Sequence, residues 1–140
     1  MTRKEVQAIF DRRQKAFDRL DAATLAGDYA NDSRIESPTG GTHHGRAAAE
    51  KVLQAVFDGF PDLKTTTEGL IIDGDNVAQV MKMEGTDLGG FLGLPPTGKA
   101  FHLPGVFLYE FKDGLIVRER RIYDFTGMLV QVGLLRAKPI

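Results

Sequence analysis

The sequence predicts an α+β fold in one domain spanning residues 1–140. Two observations carry that expectation. Apolar residues recur at three- and four-residue steps as far as Phe60, and from Leu63 the chain changes to the Thr- and aromatic-rich alternation of strands. The strand-like runs are joined by short Gly-bearing turns, so they form antiparallel hairpins segregated from the helices rather than alternating with them.

Thr2 and Glu5 have capping-box spacing, which starts a helix at the third residue. Val6, Ile9, Phe10, Phe17 and Leu20 form its apolar stripe, broken once by Arg13. Asp21 caps a second, short helix through Leu25 that stops near Gly27. Tyr29 to Ser37 reads as a first strand with Ile35 inward, and Pro38-Thr39-Gly40-Gly41 as a loop. Gly45-Arg46 opens a third helix with Ala47, Val52, Leu53, Val56, Phe57 and Phe60 on its apolar face, and Pro61 ends it.

Lys64–Ile72 and Val77–Thr86 pair across Asp73-Gly74-Asp75-Asn76, with Val77, Gln79, Met81 and Met83 on one face. The Gly- and Pro-rich run 87–98 is expected to be a lip over a pocket. Lys99–Phe111 and Leu115–Asp124 form a second hairpin about Lys112-Asp113-Gly114, followed by a short apolar helix. Phe101, Leu103, Phe107, Tyr109 and Phe111 share one face of the long strand, and Val106 and Leu108 share the other. A strand apolar on both sides has both faces covered. Helices would cover one and a second subunit the other, giving a homodimer through the sheet.

With 42% hydrophobic and 26% charged residues and a net charge of −1, the composition is that of a soluble domain with no electrostatic footprint for nucleic acid or an anionic membrane. No apolar run approaches the roughly 20 residues that span a bilayer. Cysteine is absent, which rules out disulfides, thiolate metal sites and Cys nucleophiles. The chain opens on a charged amphipathic helix rather than a signal sequence, and cytoplasmic localisation is expected.

The order of several short motifs resembles the SnoaL-like polyketide (ester) cyclases, within the NTF2-like superfamily that includes ketosteroid isomerase and scytalone dehydratase. These motifs run from Asp21-Ala22 to Pro38, then through Gly45-Arg46, Phe60-Pro61-Asp62, Pro96-Thr97-Gly98-Lys99 and Asp113-Gly114-Leu115-Ile116. Tyr123-Asp124 and the run Met128 to Gly133 complete the series. The resemblance implies a cone: a curved antiparallel sheet wrapped around the N-terminal helices and enclosing an apolar pocket. It also implies that Asp124 is the general base of an aldol-type ring closure. The chain departs from the family at Arg118 and Arg120, which stand where Glu-x-Trp is common. Losing the Trp reshapes the pocket, and two arginines beside Asp124 would lower its pKa.

Strict alternation puts Ile116, Arg118, Arg120, Ile122 and Asp124 on one face of the last strand, and Val117, Glu119, Arg121 and Tyr123 on the other. Asp124, between apolar neighbours, is either a base that removes a proton α to a carbonyl, a partner of Arg118 or Arg120, or a cap for the helix from Thr126. His102 is its catalytic partner if the hairpin turn has three residues; a two-residue turn brings Leu103 there instead. Arg118, Arg120, Tyr29, Ile122, Phe107 and Phe57 are the expected substrate-binding residues. His43 and His44 are adjacent, so as strand residues they point to opposite sides, and no metal is expected. Arg46, at a helix start, binds either an anion or a local carboxylate.

These residues point to a cofactor-independent cyclase or isomerase acting on an apolar polyketide-like or β-dicarbonyl molecule. A non-catalytic small-ligand module is the alternative. A further one is an epoxide hydrolase or dehydratase that uses Arg120 beside Asp124.

Overall fold

The computed structural model describes residues 1–136. Helix α1 (Arg3–Asp18) begins at the expected capping box, with Glu5 N donating to Thr2 Oγ1 and Thr2 N to the Glu5 carboxylate. Helix α2 (Ala22–Ala26) is capped by Asp21, which accepts from Thr24 N at 3.1 Å. Strands β1 (Tyr29–Ser37) and β2 (Gly41–His44) precede α3 (Arg46–Gly59). Four longer strands follow: β3 (Lys64–Asp73), β4 (Asn76–Thr86), β5 (Ala100–Lys112) and β6 (Leu115–Tyr123). Helix α4 (Phe125–Gln131) closes the series. No helix among the described residues is long and apolar enough to cross a membrane.

The six strands make one curved, unclosed sheet in the order β2-β1-β6-β5-β4-β3. All neighbours are antiparallel except β1 and β6, which run parallel. That pair departs from the all-antiparallel expectation and lies too far apart in the chain for local patterning to reveal it. Strand β2 falls partly in a stretch expected to be loop; four residues beginning at Gly41 are too few for an alternation to register.

The concave face carries Phe101, Leu103, Phe107, Tyr109 and Phe111 of β5, with Val77, Gln79 and Met81 of β4, and α1 and α3 pack over it. A two-residue turn at Asp113-Gly114, both at positive φ, pairs Lys112 with Leu115, the geometry that matches the twist of a hairpin. A bulge follows at once. Phe111 pairs with Ile116, but Glu110 pairs with Arg118, leaving Val117 as the extra residue. Ile116 and Glu119 are therefore both buried, three positions apart.

The run between β4 and β5 is tied down at its base. Asp87 N donates to Lys99 O, Gly98 N donates to Asp87 O, and both the N and Oγ1 of Thr97 donate to Asp87 Oδ2 at 3.0 Å. Asp87 itself is fully buried. The loop also leans on the end of α3, where Leu88 N and Gly89 N both donate to Gly59 O. Gly89 lies so close to Asp58 O that an added Cβ would sit 1.8 Å away, so only glycine fits there.

Candidate functional site

Between α3, α4, the loop 88–96 and the concave sheet lies a cavity of about 260 Å³. Its walls are apolar and soft: Val52 and Val56 from α3, Met81 and Met83 from β4, Phe101, Leu103 and Phe107 from β5, and Phe91 and Leu92 from the loop. Phe60 stacks against both Phe91 and Phe101, with ring centroids 5.2 and 4.9 Å away, and so links the loop to the sheet. The polar lining is sparse. Arg121 and Tyr123 come from β6, Thr39 and His43 from the β1–β2 hairpin, and Thr65 from β3.

Arg121 stands opposite Phe107 in the register, and its guanidinium carbon lies 5.4 Å from the Phe107 ring centre. Its Nε donates to Glu119 Oε2 at 2.6 Å, and the two side chains are 8% and 1% exposed. Glu119 Oε1 accepts from the Tyr29 hydroxyl, which in turn accepts from Arg13 Nη2 at 3.2 Å. Arg13 Nη1 reaches Asp28 at 3.0 Å, and Asp28 also takes Arg12 at 2.7 Å. Phe17, Tyr29 and Tyr109 surround the Arg13 guanidinium at 5.4 to 5.9 Å. A continuous polar chain thus runs from the half-exposed Arg12 through the core to the cavity.

Burial pushes the Glu119 carboxyl up, but the charges of Arg121 and Arg13 and the hydrogen bonds from Tyr29 and Arg121 outweigh it, leaving the pKa below its ordinary value. Burial alone would lower the Arg121 pKa, yet Glu119 and the two tyrosines hold it above the usual arginine range. Both groups stay charged at neutral pH. Among the described residues, neither Nη nitrogen of Arg121 has a hydrogen-bond partner, and Arg121 is on the cavity lining.

At the same end, Tyr123 Oη donates to Thr39 Oγ1 at 3.3 Å, and Thr39 shares a 2.8 Å hydrogen bond with Ser37 Oγ. His43 lines the cavity beside them and folds over the turn at Gly40.

Of the residues expected from sequence to form the site, only Phe107 lines this cavity. Asp124 is exposed and caps α4, its Oδ1 accepting from Gly127 N at 2.8 Å. An added Cβ at Gly127 would stand 2.3 Å from Asp124 Oδ2, so glycine there makes room for the capping carboxylate. His102 points to the outer face and pairs with Glu84, because inward Phe101 and Leu103 flank it. Its backbone is held by the Gln131 side chain, which accepts from His102 N and donates to His102 O. The bulge shifts the register so that Tyr123 faces Gly105, and neither turn length considered from sequence describes that pairing.

Arg118 and Arg120 lie on the outer face, where both reach Glu36, at 3.1 and 3.5 Å. Ile122 is 51% exposed on that same face. Tyr29 is buried in the ionic chain behind the cavity, and Phe57 packs against Phe17 in the core rather than on the lining. Arg46 donates to Tyr29 O at 2.9 Å rather than to a carboxylate. Arg121, paired with Glu119 behind it, lines the cavity, whereas Arg120 and Asp124 do not, and among the described residues no carboxylate is on the lining.

The missed residue is Arg121. Its signal was the cross-strand rule: residues opposite each other share a face, and Phe107 already marked the inner one.

A family model described as SnoaL-like polyketide cyclase matches residues 7–132. Among solved structures, TsrD from Streptomyces laurentii is 23% identical, with 96% of this chain and 99% of that one covered at a TM-score of 0.85. IdmH from Streptomyces antibioticus, a candidate polyketide cyclase, is 31% identical over 85% of this chain and 91% of its own, at a TM-score of 0.69. A protein with a ketosteroid isomerase-like fold from Catenulispora acidiphila is 19% identical, covering 95% of each chain at a TM-score of 0.74. No functionally curated protein matches the chain.

Two expectations follow from this geometry. A carboxyl whose pKa is lower in the folded than in the unfolded chain stabilises the fold above its unfolded value, and that contribution is lost as pH falls through the folded one. Below about pH 4.3, urea unfolding of the wild type should therefore lose up to about 1.4 kcal/mol per pH unit through Glu119. Glu119→Gln, less stable at pH 7, should show a shallower acid limb. Asp124→Ala should lose about 1 kcal/mol through the missing cap, whereas Asp124→Asn should unfold close to wild type in the same titration.

Proposed function

The chain belongs to the SnoaL-like polyketide cyclase family, and from that premise we propose that it is a cofactor-independent cyclase of a polyketide-like or β-dicarbonyl molecule bound in the cavity. The observation that carries this reading is the Arg121 guanidinium, held by Glu119 through Nε and with no partner on either Nη group, on the lining of a largely apolar cavity. Such donors stabilise negative charge that develops on a carbonyl oxygen, and they do so best where water is excluded.

His43 supplies the imidazole on the lining, a side chain whose neutral ring nitrogen can act as a general base. It takes the α-proton as the carbonyl oxygen becomes an enolate against Arg121. The enolate carbon attacks a second carbonyl of the same molecule, forming the C–C bond, and the resulting alkoxide recovers the proton from the His43 imidazolium. No electron leaves or enters, and no proton is consumed. The walls contribute by folding the substrate so that the two carbons meet. Asp124 serves the helix, and the base role expected of it passes to His43.

Incubation with a flexible aryl β-diketone that carries a further ketone placed to close a six-membered ring, followed by mass-neutral ring closure on chromatography, tests this. Arg121→Lys should cost about 10²-fold in kcat through the lost fork, and His43→Gln about 10²- to 10⁴-fold. Asp124→Asn should turn over like the wild type. Undiminished turnover in His43→Gln removes the base assignment. Loss of turnover in a stable Asp124→Asn returns that role to the aspartate.

Among the described residues the lining holds no carboxylate, which favours a second reading, a binding module that retains its ligand unchanged. Saturable binding with no ring closure by the wild type would select it.

The outer face of the sheet bears exposed Ile71 and Ile122 beside partly exposed Leu108, framed by Arg118, Arg120, Glu36 and Glu110. Apolar surface edged by both charge signs complements a two-fold copy of itself. We propose a homodimer through this face. Light scattering should give about twice 15.4 kDa, and Leu108→Asp should halve it.

A further inference from the structure

We propose that the cavity takes a planar, largely apolar ligand that is already an anion when it binds, with one negative charge shared by two oxygens that Arg121 grips through both Nη nitrogens. This rests on the cavity being the ligand site, as in the function proposed above, but not on any reaction occurring there.

Arg121 makes a single hydrogen bond among the described residues, through Nε to Glu119, so both Nη groups are without a partner on a residue that lines the cavity. Together they offer two parallel donors matched to a pair of oxygens a carboxylate's width apart, and charge roughly doubles the strength of such bonds. One neutral carbonyl would leave a buried donor without a partner, which is costly. The guanidinium cannot swing to adapt: Phe107 lies against its face at 5.4 Å, and Glu119 is itself fixed by Tyr29. Phe60, Phe91 and Phe101 pack edge-on or tilted along the wall, which suits a flat ring better than a bulky saturated one. Two ligand classes share this chemistry, an aromatic carboxylate and the enolate of a cyclic β-dicarbonyl.

Matched probes distinguish them in calorimetric or fluorescence titrations of the intact protein at pH 7.5. The first pair is 2-naphthoate against 2-naphthamide. The second is 2-acetyl-1,3-indandione, ionised at that pH, against its non-enolisable 2-acetyl-2-methyl analogue. The charged member of at least one pair should bind about 10-fold tighter or more, as expected of a charge-assisted bidentate contact. Which pair shows the preference identifies the class.

Arg121→Lys keeps the charge beside Glu119 but loses the fork, and it should erase most of that preference. If this variant fails to fold, the wild-type comparison still decides. Equal affinity within both pairs, or no binding of any probe, overturns the inference, as does a folded Arg121→Lys that keeps the full preference. A wild type that prefers the anions but closes no ring removes the proposed cyclase reaction and leaves this inference standing.

Discussion

The buried ionic chain from Asp28 through Arg13, Tyr29 and Glu119 to Arg121 is the constraint on which the rest of the structure depends. Taking charges out of water is expensive, and the cost is recovered only when every member is paired in good geometry. Here α1 supplies one arginine, β6 the other together with the glutamate, and β1 the tyrosine between them. None of these elements can shift without leaving a charge unpaired inside the core. The cavity therefore inherits a rigid polar end from contacts made on its far side, and Arg121 is held by Glu119, which is not on the lining.

The same chain explains the arginine that breaks the apolar stripe of α1. Arg13 occupies a core position on the helix and is as buried as its hydrophobic neighbours. Its guanidinium is satisfied by an aspartate and a tyrosine and enclosed by three aromatic rings. Nothing local in the sequence distinguishes that arginine from a solvated one, because its partners lie on other elements.

Where a segment buries one face, its pattern was readable. The helix stripes, the Thr2–Glu5 cap, the inward faces of β4 and β5 and the place of the hairpin about Lys112-Asp113-Gly114, though not the length of its turn, follow from local chemistry. The site was much less readable, and the cause is local to β6. Ile116 is apolar and inward, so strict alternation assigns Arg118, Arg120 and Asp124 to the same face as Ile116. One extra residue at Val117 breaks the alternation and sends that whole set to the outer surface. Asp124 was ambiguous for another reason. An aspartate before a short apolar helix is the residue type that both a base and an N-cap require, and in the fold it caps that helix.

The loop from Leu88 to Pro96 reaches the cavity through Phe91 and Leu92, yet it is anchored on Asp87, Thr97 and the end of α3, none of which belongs to the ionic chain. The two ends of the cavity are thus built from separate stretches of polypeptide with separate supports. Substitutions between the loop anchors can change which molecules are admitted while the guanidinium stays where it is. Under the function proposed above, a lineage carrying this fold is free to diversify its ligands by drift in one short segment, without rebuilding the interior that holds the guanidinium.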